Sequence, residues 1–302
     1  MKIAIFGAGF IGLNLLDASI SKGFLVSVLS RRSCPEQYEI PNVRWIHGDF
    51  NNASDVYETL SGSDIVYHLV SNSVPGDLLS VSKDLFENVS CTIQLLKICT
   101  KCNIKRLIFS SSSSIYGNQK NIPISKESLP LPISSHAIQK ITLEYYIKLY
   151  AREHNLDCKI VRLSNPYGPG QDIFGKQGFI AIAFGKAITD NTLTIRGDGE
   201  TVRDYIYIDD VIDCLIELPY LSSNEIIFNI GSGIGYSLNQ IVNKIEIAMC
   251  KKIKCRFEKK REVDISISIL DISKSNAIIN NKSLIDIDQG LDKFLSFIKS
   301  SL

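Results

Sequence analysis

The stretch Lys2-Ile3-Ala4-Ile5-Phe6-Gly7-Ala8-Gly9-Phe10-Ile11-Gly12 decides the fold. Residues 2–6 are almost wholly apolar, as in a strand covered on both faces. Glycines follow at 7, 9 and 12, and an apolar helical pattern runs over 11–21. A strand that passes through G-x-G-x-x-G into a helix is a frame for a dinucleotide. The glycines allow a tight turn and close backbone approach, and the helix N-terminus faces the pyrophosphate. Gly7, Gly9, Phe10, Ile11 and Gly12 are therefore the first expected cofactor contacts.

Outward from that turn, apolar strands and helices alternate. Strands are expected at 25–29, 44–47, 65–69, 106–110 and 158–163, with helices at 52–60, 84–102 and 135–154. This alternation predicts an α/β fold with a Rossmann-type, doubly wound parallel sheet. After Leu163 the pattern loosens. A Gly/Pro/Asn-rich loop at 165–177 leads to shorter elements: helices at 179–189, 209–218 and 238–250, and strands at 194–196, 205–208, 226–230 and 253–257. An amphipathic helix is expected at 288–298. The expected division is a dinucleotide-binding domain over 1–165 and a smaller α/β substrate-binding domain over 166–302, with the strand and helix of about 205–230 rejoining the first.

The chain has 302 residues, 45% of them hydrophobic and 22% charged, which is ordinary globular composition. Its 33 basic and 32 acidic residues leave a net charge of +1, which argues against nucleic acid or a membrane as the main partner. No run of about 18 apolar residues is present. The N-terminus enters a strand at once, unlike a signal peptide. A cytoplasmic location is expected, with the eight cysteines reduced. Cys99 and Cys102 form a C-x-x-C, but on a helical run without a second pair, so no metal site is expected.

The end of the second strand sorts NAD from NADP. A carboxylate there would hold the adenosine ribose 2′-hydroxyl. This chain has Ser30-Arg31-Arg32 instead. No carboxylate repels a 2′-phosphate and two guanidiniums can pair with it. NADP(H) is expected ahead of NAD(H), which the turn also accommodates. Asp49, after the third strand, is expected beside the adenine.

These features join others in a fixed order: Gly48-Asp49, His68-Leu69, Asn88-Val89, the run Phe109 to Gly117, Lys140, and Asn165-Pro166-Tyr167-Gly168. Gly197-Asp198-Gly199, Arg203-Asp204-Tyr205, Asp209-Asp210, Arg261 and Asp264 follow. Together they resemble the extended short-chain dehydrogenases/reductases, the nucleotide-sugar epimerases, dehydratases and reductases. The resemblance covers nearly the whole chain. It implies that Ser112 is the catalytic serine and that Lys140 holds the nicotinamide ribose. It also implies that Asn165, Arg203, Arg261 and Asp264 hold the substrate nucleotide and its pyrophosphate. A homodimer through the helices at 84–102 and 135–154 is a further implication. An ion pair between Arg203 and its neighbour Asp204 is the bland alternative for that arginine.

Three departures stand out. Phe6 replaces a glycine that usually opens the turn. The acidic residue after the second strand is missing. The family's Tyr-x-x-x-Lys reads His136-Ala137-Ile138-Gln139-Lys140. Residues 136 and 140 are one helical turn apart and share a face. Histidine starts near pKa 6.5 and tyrosine near 10, so an imidazole can exchange a proton near neutral pH without strong tuning. A Lys140 ammonium beside it would lower its pKa further. His68 reads as core packing; His47 and His154 show no partner spacing.

Serines at 113 and 114 stand where the 4,6-dehydratases carry acid groups, so dehydration is rejected. The expected function is NADPH-dependent reduction of a dTDP- or UDP-linked 4-keto-6-deoxyhexose, by hydride transfer to sugar C4. The resemblance places such enzymes in bacterial surface-polysaccharide synthesis, including lipopolysaccharide O-antigen. The alternative is a UDP-glucose or UDP-N-acetylglucosamine 4-epimerase. A non-catalytic NADP-binding sensor is a third reading, disfavoured because a sensor needs no sugar-nucleotide clamp.

Overall fold

The computed structural model describes residues 1–71, 81–261, 264–278 and 283–301. The first part of the chain runs β1 (Lys2–Phe6), α1 (Phe10–Ser21), β2 (Leu25–Ser30), β3 (Val43–His47), α2 (Ala53–Leu60) and β4 (Ile65–His68). It continues through α3 (Val81–Leu85), α4 (Cys91–Lys101), β5 (Arg106–Ser112), α5 (Ser135–His154) and β6 (Asp157–Leu163). The second part adds β7 (Asn165–Tyr167), α6 (Phe179–Ile188), β8 (Leu193–Arg196), β9 (Val202–Tyr207), α7 (Ile208–Glu217) and β10 (Ile227–Ile230). It ends with β11 (Gly235–Ser237), α8 (Leu238–Met249), β12 (Cys255–Glu258), β13 (Ile267–Ser268), α9 (Ser273–Ile278) and α10 (Ile287–Ser301).

Two compact units result. The first comprises Met1–Ile115, Pro132–Arg162 and Leu215–Phe228; the second comprises Tyr116–Leu131, Leu163–Cys214 and Asn229–Leu302.

A seven-stranded sheet in the order β10-β6-β5-β4-β1-β2-β3 organises the first unit. Ile3, Ala4, Ile5 and Phe6 are fully buried, because β1 is central and covered on both faces. β1 pairs in parallel with β2 on one side and β4 on the other. The chain therefore winds outward one way through β2 and β3, then reverses through β4 and β5. Such a switch point opens a crevice beyond the carboxyl ends of the strands. The register brings those ends level: Phe6 lies opposite Leu29 and His68, His68 opposite Phe109, and Ser30 opposite His47. The fold is a Rossmann-type α/β fold.

The helix read as 84–102 is broken. A π-helical stretch, Phe86–Ser90, separates α3 from α4. Its buried Asn88 donates from Nδ2 to Gln139 Oε1 of α5 at 2.7 Å. Helix α5 begins where Ser134 Oγ accepts the Ala137 amide, and ends at Asn155, whose φ of 52° is left-handed. It buries Lys140 and Glu144 against the sheet while Ile138, Tyr145 and Leu149 stay exposed.

The second unit is built on β9, which pairs in parallel with β7 and β13 and antiparallel with β11. β8 and β12 form a separate parallel pair. The strand expected at 205–208 is thus longer and starts three residues earlier, and β11, β13 and α9 were not anticipated. Ser237 caps α8 in a reciprocal box with Gln240. Phe184 of α6 meets Phe294 of α10 edge-on at 5.5 Å.

Candidate active site

The three glycines of the turn do three different jobs. Gly7 has φ +108°, and a Cβ there would lie 3.0 Å from the Val70 amide nitrogen. Gly12 lets α1 sit against the turn, since its Cβ would fall 1.9 Å from the Gly7 carbonyl oxygen. A Cβ on Gly9 would meet nothing within 4 Å. Gly9 is the N-cap of α1, has no side-chain cap, and is followed by no acidic residue in the first turn. An open glycine at an uncapped helix start suits a diphosphate, which the peptide N–H groups and helix dipole can hold. The residues present thus fit a dinucleotide.

At the end of β2, Ser30 Oγ accepts the Arg32 amide at 3.1 Å. The Ser30 carbonyl accepts the Gly48 amide at 3.0 Å. Two donors from β3 then fix the next two peptides. His47 Nε2 donates to the Arg31 carbonyl at 3.1 Å, and Trp45 Nε1 to the Arg32 carbonyl at 2.9 Å. Both arginine side chains are exposed, and among the described residues neither guanidinium forms an ion pair. Asp49 turns inward locally: its Oδ1 accepts the Asn51 amide and its own amide donates to Asp55 Oδ2.

Helix α5 holds Ser110 and Ser111 at the tip of β5, and Ser112 turns to its own loop. The Ser110 carbonyl accepts Lys140 Nζ at 2.7 Å. Ser111 Oγ donates to Glu144 Oε1 at 2.6 Å. Ser112 Oγ lies 2.9 Å from Ser114 Oγ and accepts the Ser114 amide at 3.2 Å. Lys140 is buried, with Nζ 4.9 Å from the Phe109 ring centre. Burial pulls its ammonium down to about 8, against the opposing charge of Glu144 one turn on. Glu144 is fully buried and forks onto Arg162, with Nε–Oε1 at 3.0 Å and Nη2–Oε2 at 2.7 Å. His136 is half-buried in the first turn of α5, one turn before Lys140.

His68 is packed in the core, between Phe50 and Phe109 with ring centres 5.1 and 5.2 Å away. Thr92 Oγ1 donates to the Asn88 carbonyl, so it must accept from His68 Nε2 at 2.7 Å. That fixes the tautomer and leaves Nδ1 unprotonated and, among the described residues, without a partner. Burial, and then the Lys140 charge, pull the imidazole down to about 3, so it stays neutral.

The sequence-predicted substrate residues all lie in the second unit. Asn165 donates from Nδ2 to the Asp204 carbonyl at 2.9 Å. Arg203 does not pair with Asp204. That carboxylate instead accepts the Ser232, Gly233 and Leu270 amides at 2.7, 3.2 and 3.2 Å, and ties three segments together. The Arg203 guanidinium donates to its neighbour's carbonyl, Val202, and burial lowers its pKa against the charge of Asp264.

Arg261 and Asp264 are held by each other, with Nη2–Oδ1 at 2.6 Å, where the resemblance implied separate contacts to the substrate. An arginine fork and a carboxylate three residues on close a bidentate pair readily. Burial raises the Asp264 carboxyl, but Arg261 and then Arg203 bring it below its usual value overall. Beside Asn165, the buried Ser164 Oγ, Tyr205 hydroxyl and Gln171 Oε1 have no hydrogen-bond partner among the described residues. Buried polar atoms left so are rare and point to a ligand or water contact. Among the described residues, no group of His, Cys, Asp or Glu could hold a metal ion, and no helix is long and apolar enough to cross a membrane.

Sequence reasoning missed Trp45 and His47, the Glu144–Arg162 pair, and Asp204 as a tie. The first two act on backbone carbonyls across strands, which leaves no spacing in the sequence.

The profile of the NAD-dependent epimerase/dehydratase family matches residues 3–231. A dTDP-4-dehydro-6-deoxyglucose reductase of Escherichia coli is 32% identical over 304 residues, covering 97% of this chain and 96% of that protein. The crystal structure of a UDP-glucose 4-epimerase from Thermotoga maritima with UDP-glucose superposes with a TM-score of 0.91 at 29% identity, covering 100% and 99%. A UDP-glucuronic acid 4-epimerase from Bacillus cereus, in complex with UDP-glucuronic acid and NAD, reaches 0.91 at 26% identity and covers both chains fully. With its sheet, its glycine turn and the full-length match in hand, the chain belongs to the NAD-dependent epimerase/dehydratase family.

Proposed function

We propose that the protein reduces a dTDP- or UDP-linked 4-keto-6-deoxyhexose with NADPH. The carrying observation is the end of β2, where Ser30, Arg31 and Arg32 stand in place of an acidic residue and, among the described residues, neither guanidinium forms an ion pair. An enzyme that consumes its reductant draws on NADPH, whereas an epimerase recycles one held dinucleotide. The Escherichia coli relative carries the name of such a reductase.

The first unit holds the dinucleotide, on Gly7, Gly9, Phe10, Ile11 and Gly12, with Ser30, Arg31, Arg32 and Asp49 at its adenosine end. The second unit holds the sugar nucleotide. Arg203 meets the diphosphate, Asn165 lies alongside, and the Arg261–Asp264 pair opens or adjusts to reach the nucleotide. Bound nicotinamide supplies the hydride. Lys140 fixes the ribose and keeps a positive charge near the reacting oxygen. Ser112 and His136 hold and deliver the proton that the new C4 hydroxyl requires. Incomplete burial of His136 leaves it a route to solvent for reprotonation. The exposed Ile138, Tyr145 and Leu149 of α5, with Leu85 and Phe86 where α3 meets the π-helical stretch, suit a homodimer face.

The second reading is a UDP-sugar 4-epimerase, favoured by the Thermotoga maritima structure. Incubation with NADPH and a panel of UDP- and dTDP-sugars, 4-keto forms included, separates the two. Net NADPH oxidation supports the reductase. Redox-neutral isomer formation replaces it with the epimerase. No reaction and no sugar-nucleotide binding would leave only a dinucleotide binder.

A further inference from the structure

We infer that Trp45 and His47 of β3 are positioning residues for NADPH selectivity, because they clamp the two peptide carbonyls from which Arg31 and Arg32 project. The inference rests on the NADPH reading above and extends it to residues that act through the backbone of that turn.

The geometry is specific. A run of three residues, 30–32, leaves the sheet at the end of β2, and every one of its carbonyls is held from the neighbouring strand or the loop after it. The Ser30 carbonyl takes the Gly48 amide at 3.0 Å. The Arg31 carbonyl takes His47 Nε2 at 3.1 Å, and the Arg32 carbonyl takes Trp45 Nε1 at 2.9 Å. Ser30 Oγ closes the turn on the Arg32 amide at 3.1 Å. Exposed loop carbonyls are ordinarily satisfied by water. Here two aromatic side chains from alternate positions of β3, on one face of the strand, do it instead.

Trp45 is itself held. Its ring stacks on Tyr38 with centres 6.0 Å apart and an 11° interplanar angle. Tyr38 is buried close to Asp17 of α1, whose carboxylate, after burial, pushes the phenol up. The clamp is therefore anchored to the helix that begins at the glycine turn. Because a carbonyl oxygen only accepts, the contact requires the proton of His47 to sit on Nε2.

The consequence is electrostatic preorganisation. Long arginine side chains on a loose loop lose much of their pairing energy to conformational entropy. Fixing the backbone beneath them leaves only side-chain rotamers to order when a 2′-phosphate arrives. NADH has no 2′-phosphate, so its binding does not draw on the clamp.

The test uses the full chain and two dissociation constants, for NADPH and for NADH. Trp45→Phe keeps the ring on Tyr38 and deletes the N–H. His47→Leu deletes the other donor, and His47→Gln restores one. Each deletion is expected to weaken NADPH binding about 3- to 10-fold, the worth of one hydrogen bond, with NADH binding changed less than about twofold. His47→Gln should recover part of the loss.

Equal weakening of both cofactors would make the pair merely structural and overturn the inference. So would unchanged NADPH binding in Trp45→Phe and His47→Leu while Arg31→Ala or Arg32→Ala weakens it, and the NADPH reading would then stand alone. If neither arginine variant changes the NADPH-to-NADH ratio, the NADPH reading fails and the inference falls with it.

Discussion

Gly9 and Gly12 belong to one motif, yet the structure predicts opposite outcomes when each becomes alanine. At Gly12 the new Cβ falls 1.9 Å from the Gly7 carbonyl oxygen, a backbone atom that cannot rotate away. Reaching an ordinary contact of about 3.5 Å requires α1 to move roughly 1.6 Å from the turn. That motion would loosen the fully buried Leu15 and Leu16. Overpacking of this kind costs about 3 kcal/mol at its upper range. Replacing a helical glycine returns about 1 kcal/mol. The net loss is about 2 kcal/mol, or roughly 4–8 °C in melting temperature for a domain of this size.

At Gly9 a Cβ meets nothing within 4 Å, and the backbone at φ −98° and ψ −160° suits alanine. Stability should change by less than about 1 kcal/mol, the difference between glycine and alanine as N-caps. The methyl group does, however, enter the space a diphosphate must approach. Dinucleotide affinity should fall at least tenfold, about 1.4 kcal/mol. Thermal melts and dinucleotide titrations of both variants provide the assay. A Gly9→Ala protein that binds as tightly as the parent, or that melts as early as Gly12→Ala, would refute this reasoning.

Three further outcomes are expected. Lys140 titrates in the fold near 8 and in the unfolded chain near 10.5. The folded state therefore binds this proton more weakly, so the buried charge costs stability below pH 8 and that cost is relieved as pH rises from 8 to 10.5. The stability of the parent relative to Lys140→Met should rise across that window in denaturant titrations, and a flat difference would contradict it. His136→Ala should lower turnover by about 10²–10⁴-fold with cofactor binding retained, and His136→Tyr should keep part of it with the pH profile moved upward; near-native turnover in His136→Ala would assign the proton elsewhere. Arg203→Ala should weaken sugar-nucleotide binding by about 1.5–3 kcal/mol and leave NADPH binding intact; parallel loss of both ligands would make the residue structural.

Much of the fold is legible because its signals are local. The apolar run of β1 and the glycines after it need only neighbouring residues to be read. Helix α5 begins after Ser134 and ends at Asn155, both with side chains suited to those positions. The break at Phe86–Ser90 is not legible, because a widened turn shifts apolar spacing by a single residue. β11 and β13, at 3 and 2 residues, are too short to show alternation and exist through pairing with β9.

The site divides in the same way. Ser112, His136 and Lys140 are singled out by the family resemblance, whose motif lies on one strand tip and one helix turn and so is local in sequence. The mutual pairing of Arg261 and Asp264, the tie made by Asp204, and the clamp of Trp45 and His47 depend on which surfaces the fold brings together. The tautomer of His68 needs the direction of a single hydroxyl, that of Thr92, which no sequence pattern carries.

The most direct test of the account follows one hydrogen. The protein is incubated with a dTDP-linked 4-keto-6-deoxyglucose and NADPH carrying deuterium at its transferable position, and the sugar product is read by mass spectrometry and NMR. The account predicts one deuterium at C4 of the product and one NADPH consumed per sugar reduced. No deuterium in the sugar and no NADPH consumed, with C4 epimers interconverting when UDP-sugars are supplied in a parallel incubation, would contradict it.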